Sequence, residues 1–353
     1  MKSVQFKDEK QYVDDFLLLP TKIYTKEDNM EDPEVMRKIL LGEHPLSKDF
    51  QLSKFLIYKN DEVVGRFIIT EYPDDKKVCY IGFFECINDK KVAKFLFKEA
   101  YDFAKSKKYK KLVGPVDASF WIKYRLKINK FERPYTGEPY NASYYYDLFL
   151  DNQYKVCDHY TSQLYKSVGE EYNDPKFIEH YNEFLKAGYE IIKPDMKDYD
   201  KCMDEVYELI TKLYADFPVF KNVKKEDFLA NYQSFKSIIN MDMVRMAYYK
   251  KKAVGFYISI PNYYNMVYHV KFWNIPKILR IKKHPKSYVM LYMGVLPEHR
   301  GLGKALVYSI VEELKKSHLP SIGALAHDGK INQNYAKEKI EDRYEYVLLE
   351  RGI

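Results

Sequence analysis

Between Ser287 and Leu314 the chain reads SYVMLYMGVLPEHRGLGKALVYSIVEEL, and few folds accommodate that order of residues. Tyr288 to Val295 is an apolar, aromatic and β-branched run, the pattern of a buried strand. Leu306, Ile310, Val311 and Leu314 then recur at helical spacing. Between them stand Pro297, a polar pair, and Arg300-Gly301-Leu302-Gly303-Lys304-Ala305. The first amides of a helix have no intrahelical partner and lie at the positive end of its dipole. Glycine lets a ligand reach that backbone without meeting a Cβ. The stretch therefore predicts a strand, a glycine turn and an amphipathic helix whose start cradles an anion such as a diphosphate.

The rest of the chain carries the same kinds of element twice. Residues 9–25 predict a helix interrupted at Pro20, and 55–59 with 63–72 predict a strand pair turned at Asn60-Asp61-Glu62. There follow a strand at 77–86, a helix at 89–105, a strand at 112–116 and an aromatic-rich stretch at 117–144. A short helix at 145–150 and a strand pair within 154–165 close this half. The order then returns: a strand at 189–193, a helix at 199–214, and strands at 244–249 and 254–260 turned at Lys250-Lys251-Lys252. After the central strand and helix come a strand at 322–326, a short helix near 332–340 and a last strand at 344–350. Element order repeated on this scale points to a duplicated domain. A chain of 353 residues suffices for two cores. The modules are placed at 1–170 and 171–353, with a helix at 174–186 bridging them. The fold class expected is α/β of mixed α+β character, each module a mixed β-sheet flanked by helices.

Composition narrows the function classes. At 46% hydrophobic and 31% charged the chain is an ordinary globular protein. No apolar run reaches membrane-spanning length, and MKSVQFKDEK is no signal peptide. The four cysteines and eight histidines are scattered without metal-ligand spacing, so no metal is expected and a reducing cytoplasmic setting is. A formal charge of +7 suits anionic small molecules and is too small to argue for nucleic acid.

Val295-Leu296-Pro297-Glu298-His299-Arg300-Gly301-Leu302-Gly303-Lys304-Ala305 resembles the acyl-CoA-binding motif of the GNAT superfamily of N-acetyltransferases, matching on Arg300, Gly303 and Ala305. The resemblance implies acetyl-CoA as acyl donor, with the amides of the 300–305 loop holding its diphosphate. It implies a Met293 N–H aimed at the developing oxyanion and Val295 pairing with the pantetheine arm; Gly294 between them suits a bulge. Asn332 matches a further family position. Seven residues on, the family carries a tyrosine that protonates the leaving thiolate; here Lys339 stands there, and Arg343-Tyr344 replaces a Gly-Phe pair. Tyr335, one helical turn before Lys339, is a candidate substitute acid, and Tyr292 on the strand is a second. The first half resembles a degenerate twin, since Cys86-Ile87-Asn88-Asp89-Lys90-Lys91-Val92-Ala93 has no glycine where the diphosphate loop belongs. Gly82-Phe83-Phe84-Glu85, Gly114-Pro115-Val116 and Tyr140 to Tyr145 look like a family of uncharacterised tandem acetyltransferase-like proteins.

These residues point to an N-acetyltransferase with a small amine or peptide as acceptor. The alternatives are a protein that binds acyl-CoA without turnover, and an aminoacyl-tRNA-dependent peptidyl transferase, a group that also pairs two such modules. The glycine loop argues against the last, because a tRNA has no coenzyme diphosphate to cradle. The insertion Pro261 to Lys286 is basic and amphipathic, with Asn274-Ile275-Pro276 as a capped helix start. It reads as a solvated helix face, a substrate lid, or a surface for an acidic partner or membrane.

Overall fold

A computed structural model of the chain describes residues 1–328 and 336–353. The first half holds strands β1 (Lys2–Phe6), β2 (Gln51–Lys59), β3 (Glu62–Glu71), β4 (Val78–Cys86), β5 (Lys111–Gly114), β6 (Val116–Asp117), β7 (Lys123–Tyr124), β8 (Leu126–Lys127) and β9 (Lys155–Tyr165). Its helices are α1 (Lys10–Ile23), α2 (Pro33–Leu41), α3 (Lys90–Ser106) and α4 (Tyr145–Asp151). The second half holds helices α5 (Pro175–Lys186), α6 (Tyr199–Leu213), α7 (Lys225–Tyr232), α8 (Ile275–Lys283) and α9 (Leu302–Ser317). Its strands are β10 (Tyr189–Ile192), β11 (Val244–Tyr249), β12 (Lys252–Pro261), β13 (Tyr288–Val295), β14 (Ser321–His327) and β15 (Ile340–Gly352). Among the described residues, no helix is long and apolar enough to cross a membrane.

The duplication is visible in the register. Strand β4 runs parallel to β5 over Val78–Tyr80 with Lys111–Val113, and β13 to β14 over Tyr288–Met290 with Ser321–Gly323. An offset of 210 residues carries Val78 onto Tyr288 and Lys111 onto Ser321. The same offset carries the buried stripe Val92, Ala93, Leu96, Phe97 and Ala100 of α3 onto Leu302, Gly303, Leu306, Val307 and Ile310 of α9. Each half also has a hairpin closed by a two-residue turn in the left-handed region: Asn60 and Asp61 at φ 52° and 61°, Lys250 and Lys251 at 49° and 62°.

The halves share one mixed sheet, in the order β1-β2-β3-β4-β5-β15-β9-β14-β13-β12-β11-β10, with β8 paired to β15. Each half thus completes its sheet with the other's last strand. The strand pair predicted within 154–165 is therefore a single strand, β9. Its sequence has no glycine or proline to turn on, and both its edges are satisfied from the second half, by β14 and β15.

Three further expectations change. Helix α1 runs through Pro20 without interruption. The missing proline N–H frees the Phe16 carbonyl, and the buried guanidinium of Arg66 donates to it instead. The helix near 332–340 lies partly outside the described residues; its described part is a short 3₁₀ turn at Lys337–Lys339, and Ile340 already belongs to β15, paired with Tyr165. Helix α8 has Pro276 in its first turn, but Asn274 does not cap it: its side-chain oxygen accepts from the Lys271 amide in the preceding turn.

Candidate functional site

Strand β13 parts from β14 after Met290. On its other side Ile258 faces Tyr292 while Ser259 faces Met290, which makes Leu291 a bulge. The bulge predicted at Gly294 is thus three residues earlier. Gly294 pairs in register with Phe256, and a Cβ on it would come within 2.5 Å of Leu213 Cδ1 and 2.9 Å of Phe256 Cε1. Its glycine is needed for close packing under α6. The Leu296 amide donates to the Val254 carbonyl, so by strand alternation Met293 and Val295 turn their amides and carbonyls to the open side. The Tyr214 hydroxyl reaches the Met293 carbonyl from there at 3.4 Å.

The open edge leads into α9. Its N-cap is Gly301 at φ +98°, a conformation that strains any residue with a Cβ, and no side chain caps the helix. Lys304 N–H turns back to the Gly301 carbonyl, while the amides of Leu302 and Gly303 ahead of it have no hydrogen-bond partner among the described residues. Leu302, Gly303 and Ala305 are buried, and the side chains of Arg300 (exposed) and Lys304 (half-buried) have no carboxylate partner among the described residues. Two amides and two cations without a described partner, at the positive end of a helix dipole, are groups that an anion could use.

The corresponding place in the first half is filled by the chain itself. Asp89 caps α3, accepting from the Lys91 and Val92 amides. A Cβ on Gly82 would stand 1.8 Å from the Val116 carbonyl oxygen, because β6 is pressed into the gap beside β4. The Phe83 amide donates to Asp117, the Cys86 amide to Tyr145 and the Tyr144 hydroxyl to the Cys86 carbonyl. These contacts take the Phe83 and Cys86 amides and the Cys86 carbonyl away from an extended ligand.

A single cavity of about 1790 Å³ joins the open edge of β13 and the start of α9 to a chamber walled by both halves. Ordinary single-ligand pockets hold roughly 300–1,000 Å³. The first half contributes Phe120, Tyr124 and Arg125 from the aromatic-rich stretch, and the 261–286 insertion contributes Tyr268 and Ile278. Tyr292, half-buried on the rim, lies 3.3 Å from the Tyr232 hydroxyl. Burial pushes the hydroxyls of Tyr214 and Tyr232 up, so both stay protonated. Lys339 also lines the cavity, its Nζ over the Tyr172 ring at 4.9 Å. Asn332 and Tyr335 lie outside the described residues. Among the described residues no His/Cys/Asp/Glu group could hold a metal ion.

Sequence reasoning missed one pair. Strand β14 ends at His327, which lines the cavity and whose Nε2 lies 2.7 Å from Asp158 Oδ1. The other Asp158 oxygen accepts from the Tyr160 hydroxyl at 2.7 Å. Nδ1 of His327 has no hydrogen-bond partner among the described residues. The carboxylate fixes the ring through Nε2, and Nδ1 is buried from solvent. Asp158 belongs to β9 and His327 to β14, so only the exchange of β9 into the second half brings them together. No sequence spacing signals it.

No protein-family model matches the chain, and no curated protein matches its sequence. Solved structures do. The chain is similar to a tandem GNAT protein from the clavulanic acid biosynthesis pathway (without AcCoA), at 12% identity and TM-score 0.52 over 99% of this chain and 98% of that one. It is similar to a GCN5-related glucosamine N-acetyltransferase region of a fungal multi-domain GH3 β-N-acetylglucosaminidase, at 13% identity and TM-score 0.54, over 99% of this chain and 38% of that one. A GCN5-related N-acetyltransferase from Sphaerobacter thermophilus gives 10% identity and TM-score 0.50 over 99% and 95%. Identities this low speak for the fold alone. The chain is a tandem GNAT-fold protein.

Proposed function

We propose that the chain is an N-acyltransferase that takes an acyl group, acetyl on the sequence reading, from acyl-CoA and transfers it to a small amine or peptide. Residues 171–353 form the coenzyme-binding module in this reading, and 1–170 a module that walls the acceptor chamber. The carrying observation is the contrast between two equivalent helices: Asp89 caps the Lys91 and Val92 amides of α3, while the Leu302 and Gly303 amides of α9 have no described partner and Gly301, Gly303 and Lys304 line the large cavity. The residues present fit the coenzyme, since free amides and cations at α9 meet an unpaired strand edge.

The bound donor supplies a thioester carbonyl that gathers negative charge as an amine adds. The amides of Leu302 and Gly303, with Arg300 and Lys304, hold its diphosphate. Val295 offers amide and carbonyl to the extended arm, and the Met293 amide donates to the developing oxyanion. In this reading the acceptor bares Nδ1 of His327, buried in the unliganded chain, which then takes the proton of the attacking amine, and Asp158 steadies the imidazolium that forms. Tyr335 or Tyr292 returns a proton to the departing sulfur as the C–N bond replaces the C–S bond.

Thiol release from acetyl-CoA across a panel of amines tests the reading. His327→Ala should lower kcat by roughly 10²–10⁴-fold, with partial rescue by added imidazole. Parent-like turnover in that variant removes His327 from the mechanism. Coenzyme binding without thiol release for any amine would favour a non-catalytic acyl-CoA binder, the reading that Lys339 in place of the family tyrosine supports.

A further inference from the structure

Between Pro261 and Lys286 the chain has six cations (Lys271, Lys277, Arg280, Lys282, Lys283 and Lys286) and no acidic residue. None of the six is in an ion pair among the described residues, and one donates to a backbone carbonyl, Lys282 to Ser237. Five large apolar side chains stand out in the same segment: Val270, Phe272, Trp273, Ile275 and Leu279, with Phe272 79% and Trp273 65% exposed. The two rings meet edge to face at 5.2 Å and form the tip. On α8, Ile275 and Leu279 share one face four residues apart, Ile278 is buried as its anchor, and Lys283 lies beside the stripe on the side away from Ile278, with Arg280 and Lys277 further round the helix. The base of the segment is fixed, because Asn265 donates to the carbonyls of Lys26 and Asn29 and His269 is bonded to the Asn29 carbonyl. It is a held feature of the surface.

We propose that this segment docks the protein on an anionic lipid surface, with the mouth of the cavity facing the bilayer. Val270, Ile275 and Leu279 are both exposed and part of the cavity wall, so the face that would enter the headgroup layer is continuous with the lining of the cavity. Charge alone fits an acidic protein or a nucleic acid equally well, and aromatic rings stack on bases. A nucleic acid does not take up the aliphatic Val270, Ile275 and Leu279, and an acidic protein does so only with an apolar groove of its own. A bilayer interface accepts all three kinds of group at once: cations at the anionic headgroups, Trp and Phe at the boundary, and aliphatic side chains just beneath. The proposal does not rest on the acyl-transfer reading, and each can fail without the other.

The chain has two tryptophans. Trp121 is buried with its Nε1 donating to the Lys221 carbonyl, so Trp273 is the solvent-facing reporter. The full chain should sediment with mixed phosphatidylcholine–phosphatidylglycerol vesicles, its tryptophan emission shifting to the blue, and much less with phosphatidylcholine alone. Binding should weaken as salt is raised. Phe272→Asp with Trp273→Asp should lower the bound fraction roughly tenfold at an unchanged melting temperature, since both side chains are exposed. Trp273→Phe should sediment like the parent and lose the spectral shift. No association with the anionic vesicles at low salt overturns the proposal. So does parent-like binding by the double variant, or an equal Trp273 shift with polyglutamate or single-stranded RNA in place of vesicles.

Discussion

Reversing the two cations at the start of α9 tests the proposed coenzyme site without disturbing the fold. Arg300 is exposed and Lys304 half-buried, and neither has a carboxylate partner among the described residues. Arg300→Glu with Lys304→Glu therefore breaks no described ion pair, and stability should stay within about 0.5 kcal/mol of the parent. A unit charge pair about 4 Å apart is worth about 1 kcal/mol in water and about 4 kcal/mol in a less polar surface setting. Exposure argues for the water-like end. Each reversal turns an attraction into a repulsion and so costs about 2 kcal/mol; the pair costs about 4 kcal/mol, or roughly 10³-fold in Kd. Counter-ions at physiological salt trim this toward roughly 10²-fold. Titration calorimetry with coenzyme A, beside thermal melts of both proteins, reads the two quantities separately. Lys91→Glu at the start of α3 is the control and should leave affinity untouched, because Asp89 already occupies those amides. A loss below about tenfold in the double variant at an unchanged melting temperature would refute the placement of the diphosphate. An equal loss from Lys91→Glu would refute the contrast between the two helices.

Two further predictions concern the first half. Asp89→Ala should cost about 1 kcal/mol in denaturant unfolding and leave coenzyme affinity unchanged; a second calorimetric site in that variant would show that the cap, and not the filling of the gap by Val116, closes this half. His44 is held neutral by burial and by Lys38 nearby, its value pushed below 6.5, and Nδ1 of the neutral ring accepts from the Leu46 amide at 3.3 Å. Its unfolded form binds the proton more readily, so this stabilisation is present above about pH 6.5 and is lost as pH falls through the folded value. His44→Asn keeps a capping acceptor that does not titrate and should flatten the fall in stability between neutral pH and about pH 5; equal slopes would contradict it.

Local pattern controls the parts of the fold that are legible in the sequence. The run Tyr288 to Val295 and the spacing of Leu306, Ile310 and Leu314 depend on burial of one face, and strand and helix stand where that pattern puts them. Turns at Asn60-Asp61 and Lys250-Lys251 follow from residues and context in a few positions. The errors lie where a distant partner decides. Pro20 breaks helices when its freed carbonyl has nowhere to go, and Arg66 gives it somewhere. A bulge at Gly294 is a sound local reading, but Leu213 and Phe256 claim the missing Cβ, and the bulge falls on Leu291. His327 and Asp158 are invisible for the same reason: their pairing depends on which strand lies beside β14, and no window of sequence holds that information.

The strand exchange bears on the boundary placed at 170/171, and it argues that the halves cannot be parted. Strand β15 belongs to the second half, yet both of its neighbours along the sheet, β5 and β9, come from the first. Around β15 the halves also share the ion pair of Lys127 and Glu138, both 0% exposed, to which Tyr346 donates its hydroxyl. A fragment of residues 171–353 would bare Tyr346, Val347, Leu348 and Leu349, now buried, and leave the edges of β14 and β15 without partners. Unpaired apolar edges recruit other edges, so the fragment should aggregate when expressed alone. It would also lose Asp158, and with it the partner that orients His327. Co-expression with residues 1–170 should restore a soluble pair that co-purifies and binds coenzyme A. A lone 171–353 fragment that stays monomeric, melts cooperatively and binds coenzyme A with the parent's affinity would show that the second half completes its own sheet, and that β9 and β15 are interchangeable parts rather than the join that makes two modules into one site.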